Sequence, residues 1–165
     1  MFTAMELFDL AIQVEENGER FYRHALAKVR EDSLKNVLGL LADQELEHRS
    51  AFLEIKERIG DKTKPAPPVS SLSREVLRGA MGRHAFSLDE LQVDSIQEEK
   101  EILEAAINFE EDSILFFEFM AAFVSDPGAL LTLQQIRAEE LKHKQILMEQ
   151  ISEITATTPQ VITEQ

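Results

Sequence analysis

Two Glu-x-x-His motifs equip this chain to bind metal ions. Glu45 and His48 form the first motif, and Glu140 and His143 form the second. Residues three apart share one face of a helix, so each motif would point a carboxylate and an imidazole at one centre. Mixed carboxylate and imidazole ligands suit iron(II), manganese(II) or zinc. The motifs therefore predict metal chemistry inside a helical protein.

A further glutamate precedes each motif at the same distance. Glu15 stands 30 residues before Glu45, and Glu110 stands 30 residues before Glu140, so one shift of 95 residues relates the two sets. Two repeated helical hairpins would explain the shift, and together they would offer four carboxylates and two imidazoles to two divalent cations. The alternative is a purely structural bundle, because Glu-x-x-His pairs also arise by chance in a glutamate-rich chain. The same shift aligns further identical residues: Ala11/Ala106, Ile12/Ile107, Glu16/Glu111, Phe21/Phe116, Val29/Val124 and Leu46/Leu141.

The composition limits the function classes further. The chain has 165 residues, of which 44% are hydrophobic, enough for one domain with a substantial core. Its net charge of −14 argues against nucleic acid and against an anionic membrane surface as partners. We see no signal peptide and no apolar run that could span a bilayer. Without cysteine the chain cannot form disulfides or iron–sulfur clusters, and we expect it in the cytoplasm.

Apolar residues recur at helical spacing in four segments, and the candidate ligands interrupt the apolar face of each. Short turns within each half predict antiparallel hairpins, and the long connection between the halves lets the second and third helices run parallel. We therefore predict an all-α fold, a four-helix bundle of two repeated hairpins joined by a long crossover. The predicted helical segments are about 3–29, 33–59, 94–124 and 128–155. They form the hairpins 3–59 and 94–155, which the crossover 60–93 joins. The bundle domain is 1–156, and a flexible tail follows at 157–165.

Local signals add detail to the turns and to the crossover. Asp126 and Pro127 suit the N-cap and the first residue of the fourth helix. Residues 31–33 offer a cap for the second helix. The crossover is expected to contain an extended proline-rich stretch at 61–68, a short helix at 73–79 and a capping box at 87–90.

The only tyrosine is a candidate to support catalysis. Tyr22 lies seven residues after Glu15 on the same stripe, so its hydroxyl would reach the site and hydrogen-bond a ligand. A plain core tyrosine is the alternative, and the repeat places Phe117 at the equivalent position. His24 and His84 lack the motif spacing and are expected to be ordinary surface or packing residues. A cluster of phenylalanines is expected in the core or at a dimer face: Phe109, Phe116, Phe117, Phe119 and Phe123.

The residues around the motifs resemble those of rubrerythrin over residues 3–155. The first half carries Ala11-Ile12-x-x-Glu15-x-x-Gly18-x-x-Phe21-Tyr22 with Glu45-x-x-His48; the second carries Glu110-x-x-Ser113-x-x-Phe116-Phe117 with Glu140-x-x-His143. This resemblance implies a ferritin-like bundle that holds two iron ions. It further implies Glu45 and Glu140 as bridging ligands and Glu15 and Glu110 as terminal ones. It assigns His48 to one metal and His143 to the other.

Two departures from the rubrerythrin pattern shape the functional expectation. Rubrerythrins usually carry a four-cysteine rubredoxin-like domain, and this chain has no cysteine. They also carry an additional glutamate ligand three residues after the third-helix glutamate, where this chain has Ser113. A short, single-domain rubrerythrin-like protein is the resulting expectation. It would reduce hydrogen peroxide or dioxygen at a di-iron site, as a homodimer, with electrons from an external donor such as a rubredoxin-like protein.

The sequence is also compatible with other functions of the same ligand set. An iron-handling ferroxidase, storage or delivery protein would use the same residues. So would a metal-stabilised structural module whose site never turns over, and a dimanganese catalase-like variant. Manganese or zinc could replace iron, since all three metals accept carboxylate and imidazole ligands.

Overall fold

Four long helices make up the part of the chain that the computed structural model describes, which is residues 3–60, 75, 77, 79, 96 and 98–157. The helices are α1 (Ala4–Lys28), α2 (Asp32–Ile59), α3 (Glu99–Ala121) and α4 (Pro127–Thr157). The described residues contain no strand, so the all-α prediction is confirmed. None of the described helices combines the length and the apolar character that a membrane span needs.

Side-chain caps fix the starts of α1 and α4. The Thr3 hydroxyl accepts a hydrogen bond from the Glu6 amide at 3.2 Å, and the Glu6 carboxylate accepts one from the Thr3 amide at 2.9 Å. This capping box satisfies amides that the first helical turn leaves unpaired. At α4 the Asp126 carboxylate accepts from the Ala129 amide at 2.7 Å, and Pro127 is the first helical residue. The cap predicted for the fourth helix is thus confirmed.

The start of α2 differs from the prediction. Glu31 holds the N-cap position, but its side chain makes no capping hydrogen bond. The Ser33 hydroxyl donates to the Glu31 carboxylate at 2.8 Å, so these two polar side chains bond to each other instead of to the helix amides. The predicted side-chain cap in residues 31–33 is therefore wrong.

The helices pair as two antiparallel hairpins. α1 packs chiefly along α2, and α3 chiefly along α4; the hairpins then meet through α1 with α3 and α2 with α4. At one end of the bundle Lys28 donates to the carbonyl of Ile96 at 3.4 Å, so the end of α1 meets the residues that precede α3. At the other end Arg58 pairs with Asp126 at 2.9 Å, so the ends of α2 and α3 lie together. The second and third helices therefore run parallel, as predicted.

The third helix is shorter than its predicted segment. It begins at Glu99, whereas the segment begins at residue 94, and it ends at Ala121 instead of 124. The Phe123 amide bonds to the Met120 carbonyl at 2.9 Å, a three-residue spacing that tightens the chain out of the α-helix. Of the predicted crossover helix, residues 75, 77 and 79 are helical. The proline-rich stretch 61–68, the capping box at 87–90 and almost all of the tail lie outside the described residues.

Two apolar clusters fill the bundle, and the candidate ligands lie between them. One cluster contains Phe8, Phe52 and Phe117, and the other contains Leu34 and Leu103. In each helix, the buried residues on one side of the candidate ligands belong mainly to one cluster, and those on the other side belong mainly to the other cluster. The metal-binding motifs therefore occupy a polar layer in the middle of an apolar interior.

The phenylalanine cluster belongs mainly to the core. Phe109, Phe116 and Phe117 are fully buried, and Phe117 lies with its ring centre 5.3 Å from that of Phe52 on α2. Phe119 and Phe123 are partly buried and pack against the same cluster. Of the two predicted roles, the core role is the one these contacts support.

Leu77 offers a test of how the crossover contributes to stability. Its side chain is fully buried in the apolar cluster of Phe52 and Phe117, although it belongs to neither hairpin. We expect Leu77→Ala to lower the free energy of unfolding by about 2–5 kcal/mol, the usual cost of a cavity in a core. Leu40→Ala is the control, since Leu40 is 54% exposed and its loss should cost less than about 0.5 kcal/mol. Equal effects in urea unfolding would contradict the packing of Leu77.

Candidate metal centre

All six residues predicted as ligands come together in the polar layer. Each helix contributes from the middle of its length, and every one of these side chains is almost completely buried. Carboxylates are seldom buried unless they are paired or hold a metal, so their clustering inside an apolar bundle needs a compensating charge. The residues are Glu15 on α1, Glu45 and His48 on α2, Glu110 on α3, and Glu140 and His143 on α4.

The cluster divides into two overlapping groups of four residues. The group called position 1 comprises Glu15, Glu45, His48 and Glu140, and position 2 comprises Glu45, Glu110, Glu140 and His143. Within each group, one ligand atom from each residue lies within 4.8 Å of all the others. Glu45 and Glu140 belong to both groups. The geometry thus gives each position one carboxylate and one imidazole of its own, and two carboxylates in common.

Both imidazoles turn the same ring nitrogen toward the carboxylates. The Nδ1 atom of His48 lies 2.9 Å from Glu140 and 3.7 Å from Glu15. The Nδ1 atom of His143 lies 2.8 Å from the other oxygen of Glu140 and 3.4 Å from Glu45. The two rings are nearly parallel, with centres 5.6 Å apart. Glu140 therefore stands between the two imidazoles, with one oxygen toward each.

Burial and mutual repulsion make three of the carboxyl groups weak acids. Loss of hydration, followed by repulsion from Glu140, raises the pKa of Glu15 to about 7. The same two causes, in the same order, hold the pKa values of Glu45 and Glu110 well above the ordinary range. In the absence of a metal these carboxyl groups retain protons under conditions in which exposed glutamates are ionised.

The pKa values of the two imidazoles and of Glu140 shift in the direction that favours the charged form of each group. Burial disfavours a charged ring, but contacts with Glu140 and Glu15 outweigh it and raise the pKa of His48 to about 12. The pKa of His143 is also raised, because its contacts with Glu110, Glu140 and Glu45 overcome the same penalty. Burial alone would raise the pKa of Glu140, yet its contacts with His143 and His48 lower it. Protons on the rings thus provide the positive charge that a bound cation would otherwise supply.

The donor atoms fit divalent metal ions. Several buried oxygens and both Nδ1 atoms make no well-formed hydrogen bond to the described residues, which is costly unless another charge satisfies them. Oxygen and imidazole donors without thiolate match iron(II), manganese(II) and zinc. The atoms are both oxygens of Glu15 and of Glu140, one oxygen each of Glu45 and Glu110, and Nδ1 of His48 and of His143.

Tyr22 reaches the cluster, as predicted from its spacing. Its fully buried hydroxyl donates a hydrogen bond to an oxygen of Glu110. Burial and then the nearby charge of Glu110 raise the pKa of Tyr22 well above its ordinary value, so the phenol keeps its proton. His24 is exposed, in agreement with the expectation that it is an ordinary residue, and His84 lies outside the described residues.

Glu139 contacts the cluster but was not predicted from the sequence. Its carboxylate, 45% exposed, lies 2.7 Å from Nε2 of His48, the ring nitrogen that faces away from the other ligands. Hydrogen bonding of this kind holds a metal-ligating imidazole in one orientation. No spacing rule joins residues 91 positions apart, and the only local signal is that Glu139 directly precedes Glu140.

Gly18 and its repeat counterpart Ser113 line the centre without contributing ligands. A Cβ atom on Gly18 would lie 2.4 Å from an oxygen of Glu45 and 2.9 Å from the Phe109 ring, so only glycine lets the carboxylate approach α1 this closely. The buried Ser113 hydroxyl donates to the main-chain carbonyl of Phe109 at 3.1 Å. Ser113 is therefore engaged with its own helix, at the position where the rubrerythrin pattern has an additional glutamate.

Comparison with solved structures places this architecture among known proteins. No protein-family model matches the sequence, and no curated protein matches it significantly. A two-domain protein from Anabaena variabilis, with DJ-1/ThiJ/PfpI-like and ferritin-like domains, aligns with 98% of this chain at a TM-score of 0.70 and 14% identity. This chain spans only 40% of that protein.

Two further structures match most of both chains. A Thermotoga maritima protein assigned to the ferritin-like diiron-carboxylate proteins aligns with 92% of this chain and 96% of its own, at a TM-score of 0.66 and 26% identity. A hypothetical protein from Pyrococcus furiosus aligns with 92% of this chain and 89% of its own, at a TM-score of 0.67 and 19% identity. The chain therefore has a ferritin-like fold, and its buried glutamate and histidine cluster is consistent with the diiron-carboxylate proteins of that superfamily.

Proposed function

We propose that this protein is a di-iron oxidoreductase that reduces hydrogen peroxide, or dioxygen, with electrons from an external donor. The observation that carries the proposal is the pair of overlapping ligand groups sharing Glu45 and Glu140. One metal ion is enough to stabilise a bundle, whereas two positions with common carboxylates suit a chemistry that uses two metal ions together. The T. maritima protein named as diiron-carboxylate supports iron as the metal.

The protein residues in this proposal hold, orient and enclose the metal pair. Glu15 and His48 would bind one iron, Glu110 and His143 the other, and Glu45 and Glu140 would bridge them. An iron(II) pair held there would supply two electrons, one from each ion, which together with two protons convert one hydrogen peroxide into two waters. Tyr22 would fix the orientation of Glu110 through its hydroxyl hydrogen bond. The surrounding apolar clusters would keep bulk water from the centre.

In this proposal the electrons come from outside these 165 residues. The chain has no cysteine, so any thiolate-bound iron that passes electrons to the centre belongs to a partner. A rubredoxin-like protein is the partner that the rubrerythrin resemblance implies, and we propose it as the donor. A homodimer in the cytoplasm is part of the same proposal. The proposal includes neither nucleic acid nor a membrane as a partner.

An anaerobic iron(II) titration of the metal-free protein tests the proposal. We expect two irons per chain and rapid oxidation of both by one equivalent of peroxide, seen as a new near-ultraviolet absorption band. Binding without oxidation, or a preference for zinc that is insensitive to oxidants, would favour a structural module. Chromatography distinguishes iron storage, since a hollow shell of many subunits, unlike a dimer, could store iron.

Removal of a shared carboxylate should abolish the two-metal site. We expect Glu45→Gln and Glu140→Gln each to reduce iron binding below two per chain and to lower peroxide reduction about a hundredfold or more. For Glu45→Gln the loss should not reflect unfolding, because removal of this weakly acidic group relieves repulsion in the metal-free bundle. Glu140→Gln also removes the counter-ion of both imidazoles, so circular dichroism of that variant must show a folded bundle. Glu104→Gln, which alters an exposed pair with Lys100, is the charge-matched control. Full peroxide turnover by either shared-carboxylate variant would refute the assignment.

The raised pKa of Glu15 predicts a pH dependence of the metal-free protein. The folded state binds a proton more tightly than the unfolded state, whose glutamates titrate near 4.5, so this contribution to stability is present below pH 4.5 and lost as pH rises to about 7. The loss should be on the order of 3 kcal/mol. Glu15→Gln should flatten the decline in denaturant unfolding between pH 4.5 and 7. An unchanged slope would count against the raised pKa.

The close approach at Gly18 predicts a selective loss of metal affinity. In Gly18→Ala the new methyl group would displace the Glu45 carboxylate, and we expect metal to bind at least about tenfold more weakly. Gly39→Ala is the matched control in the same hairpin, because its Cβ atom would meet only Leu26 at an ordinary 3.4 Å. Isothermal calorimetry with Co²⁺ measures both. Equal affinities in the two variants would show that Gly18 is not required for the position of Glu45.

A further inference from the structure

The two positions of the centre differ in what supports their imidazoles. At position 1 the Nε2 atom of His48 faces the Glu139 carboxylate at 2.7 Å. At position 2 the Nε2 atom of His143 is buried and makes no hydrogen bond to any residue in the part of the chain that the structure describes. The repeat accounts for the difference, because the residue 95 positions before Glu139 is Gln44, a neutral amide. The carboxylate support therefore exists on one side only.

The terminal carboxylates of the two positions also differ in their hydrogen bonds. Glu110 at position 2 accepts a hydrogen bond from the Tyr22 hydroxyl. Glu15 at position 1 receives no well-formed hydrogen bond from the described residues on either oxygen. The residue equivalent to Tyr22 in the other half is Phe117, which has no hydroxyl to donate. The Tyr22 hydroxyl thus holds Glu110 in one orientation, whereas Glu15 has no such neutral donor.

A carboxylate behind an imidazole strengthens that imidazole as a metal ligand. By accepting the Nε2 hydrogen of His48, Glu139 fixes the ring orientation and makes Nδ1 a better donor to a metal. Glu139 is 45% exposed and so partly screened by solvent, but His48 itself is only 4% exposed. Position 1 therefore has a charged carboxylate behind its imidazole, whereas position 2 has only a neutral hydroxyl behind its carboxylate, so the stronger electrostatic support lies at position 1.

We propose that the two metal positions are inequivalent, that position 1 binds a divalent cation more tightly, and that Glu139 is the positioning residue responsible. This inference rests on the proposed two-metal site but not on its redox activity. It concerns the bare affinity of each position, which can be measured with a metal ion that is not oxidised during the experiment. Co²⁺ is suitable, because it accepts the same oxygen and nitrogen donors and its visible absorption reports its ligand environment.

Single-histidine variants isolate the two positions for measurement. His143→Ala leaves every ligand of position 1 in place, and His48→Ala leaves every ligand of position 2. Each variant is expected to bind one Co²⁺, so that repulsion between two bound ions does not create an apparent difference. We expect the Kd of the His143→Ala protein to be at least about tenfold lower in isothermal calorimetry. Equal affinities, or tighter binding by the His48→Ala protein, would overturn the proposal.

A second pair of changes tests the role of Glu139 itself. Added to His143→Ala, Glu139→Gln should raise the Kd about tenfold and alter the Co²⁺ spectrum; added to His48→Ala, it should change neither appreciably. A nonspecific effect of losing one negative charge would weaken both proteins alike. Glu104→Gln, an exposed change of the same charge, measures that effect and should leave both Kd values nearly unchanged. Gln44→Glu provides a carboxylate at the equivalent place in the other half and should tighten Co²⁺ binding by the His48→Ala protein. Equal effects of Glu139→Gln at both positions would rule out a positioning role.

The outcomes also separate this inference from the proposed function. If the wild-type protein binds fewer than two Co²⁺ and neither single-histidine variant binds any, the two-metal site itself is wrong, and the inference falls with it. If two ions bind with equal affinity in the isolated positions, only the inequivalence is wrong. Thermal unfolding of each metal-free variant, followed by circular dichroism, establishes that a weak Kd does not come from a misfolded bundle.

Discussion

The burial of four carboxylates at one level of an apolar bundle is the constraint on which the rest of this structure depends. A carboxylate removed from water without a partner would cost far more free energy than a domain of this size can spare. The two imidazoles offset part of that charge as protonated rings, with Glu140 between them. Two divalent cations would offset all of it. The centre is therefore stable only as a place where protons or metal ions are held.

This requirement explains features that would otherwise be unfavourable in long helices. Glycine disfavours a helix interior, yet Gly18 is placed where a side chain would collide with Glu45. The polar layer also divides the apolar interior into two clusters, so each helix buries side chains on both sides of its ligands. Those flanking clusters position the carboxylates, because the helices cannot slide without disturbing well-packed phenylalanines at one end and leucines at the other.

Much of the fold and of the centre could be predicted from the sequence, because both depend on regular spacing. The helical repeat puts Glu45 and His48 on one face, and the 95-residue shift indicates that Glu140 and His143 do the same. Glu139 could not be predicted, since its partner lies on another helix and its repeat counterpart is Gln44. The absence of a side-chain cap at Glu31 depends on local competition between polar groups, since Ser33 bonds to Glu31 instead of to a helix amide. Hydrophobic periodicity does not record such competition.

The internal repeat has a consequence for how such a centre can change over time. In a symmetric assembly of two identical hairpins, every substitution appears twice and the two halves remain alike. Here both hairpins belong to one chain, so each residue of a pair can vary alone. Gly18 and Ser113, Tyr22 and Phe117, and Gln44 and Glu139 are three pairs that differ between the halves, all around a ligand set that is the same in both. Because the two hairpins are joined in one polypeptide, the two halves of a nearly symmetric fold can carry different residues and serve different chemical functions.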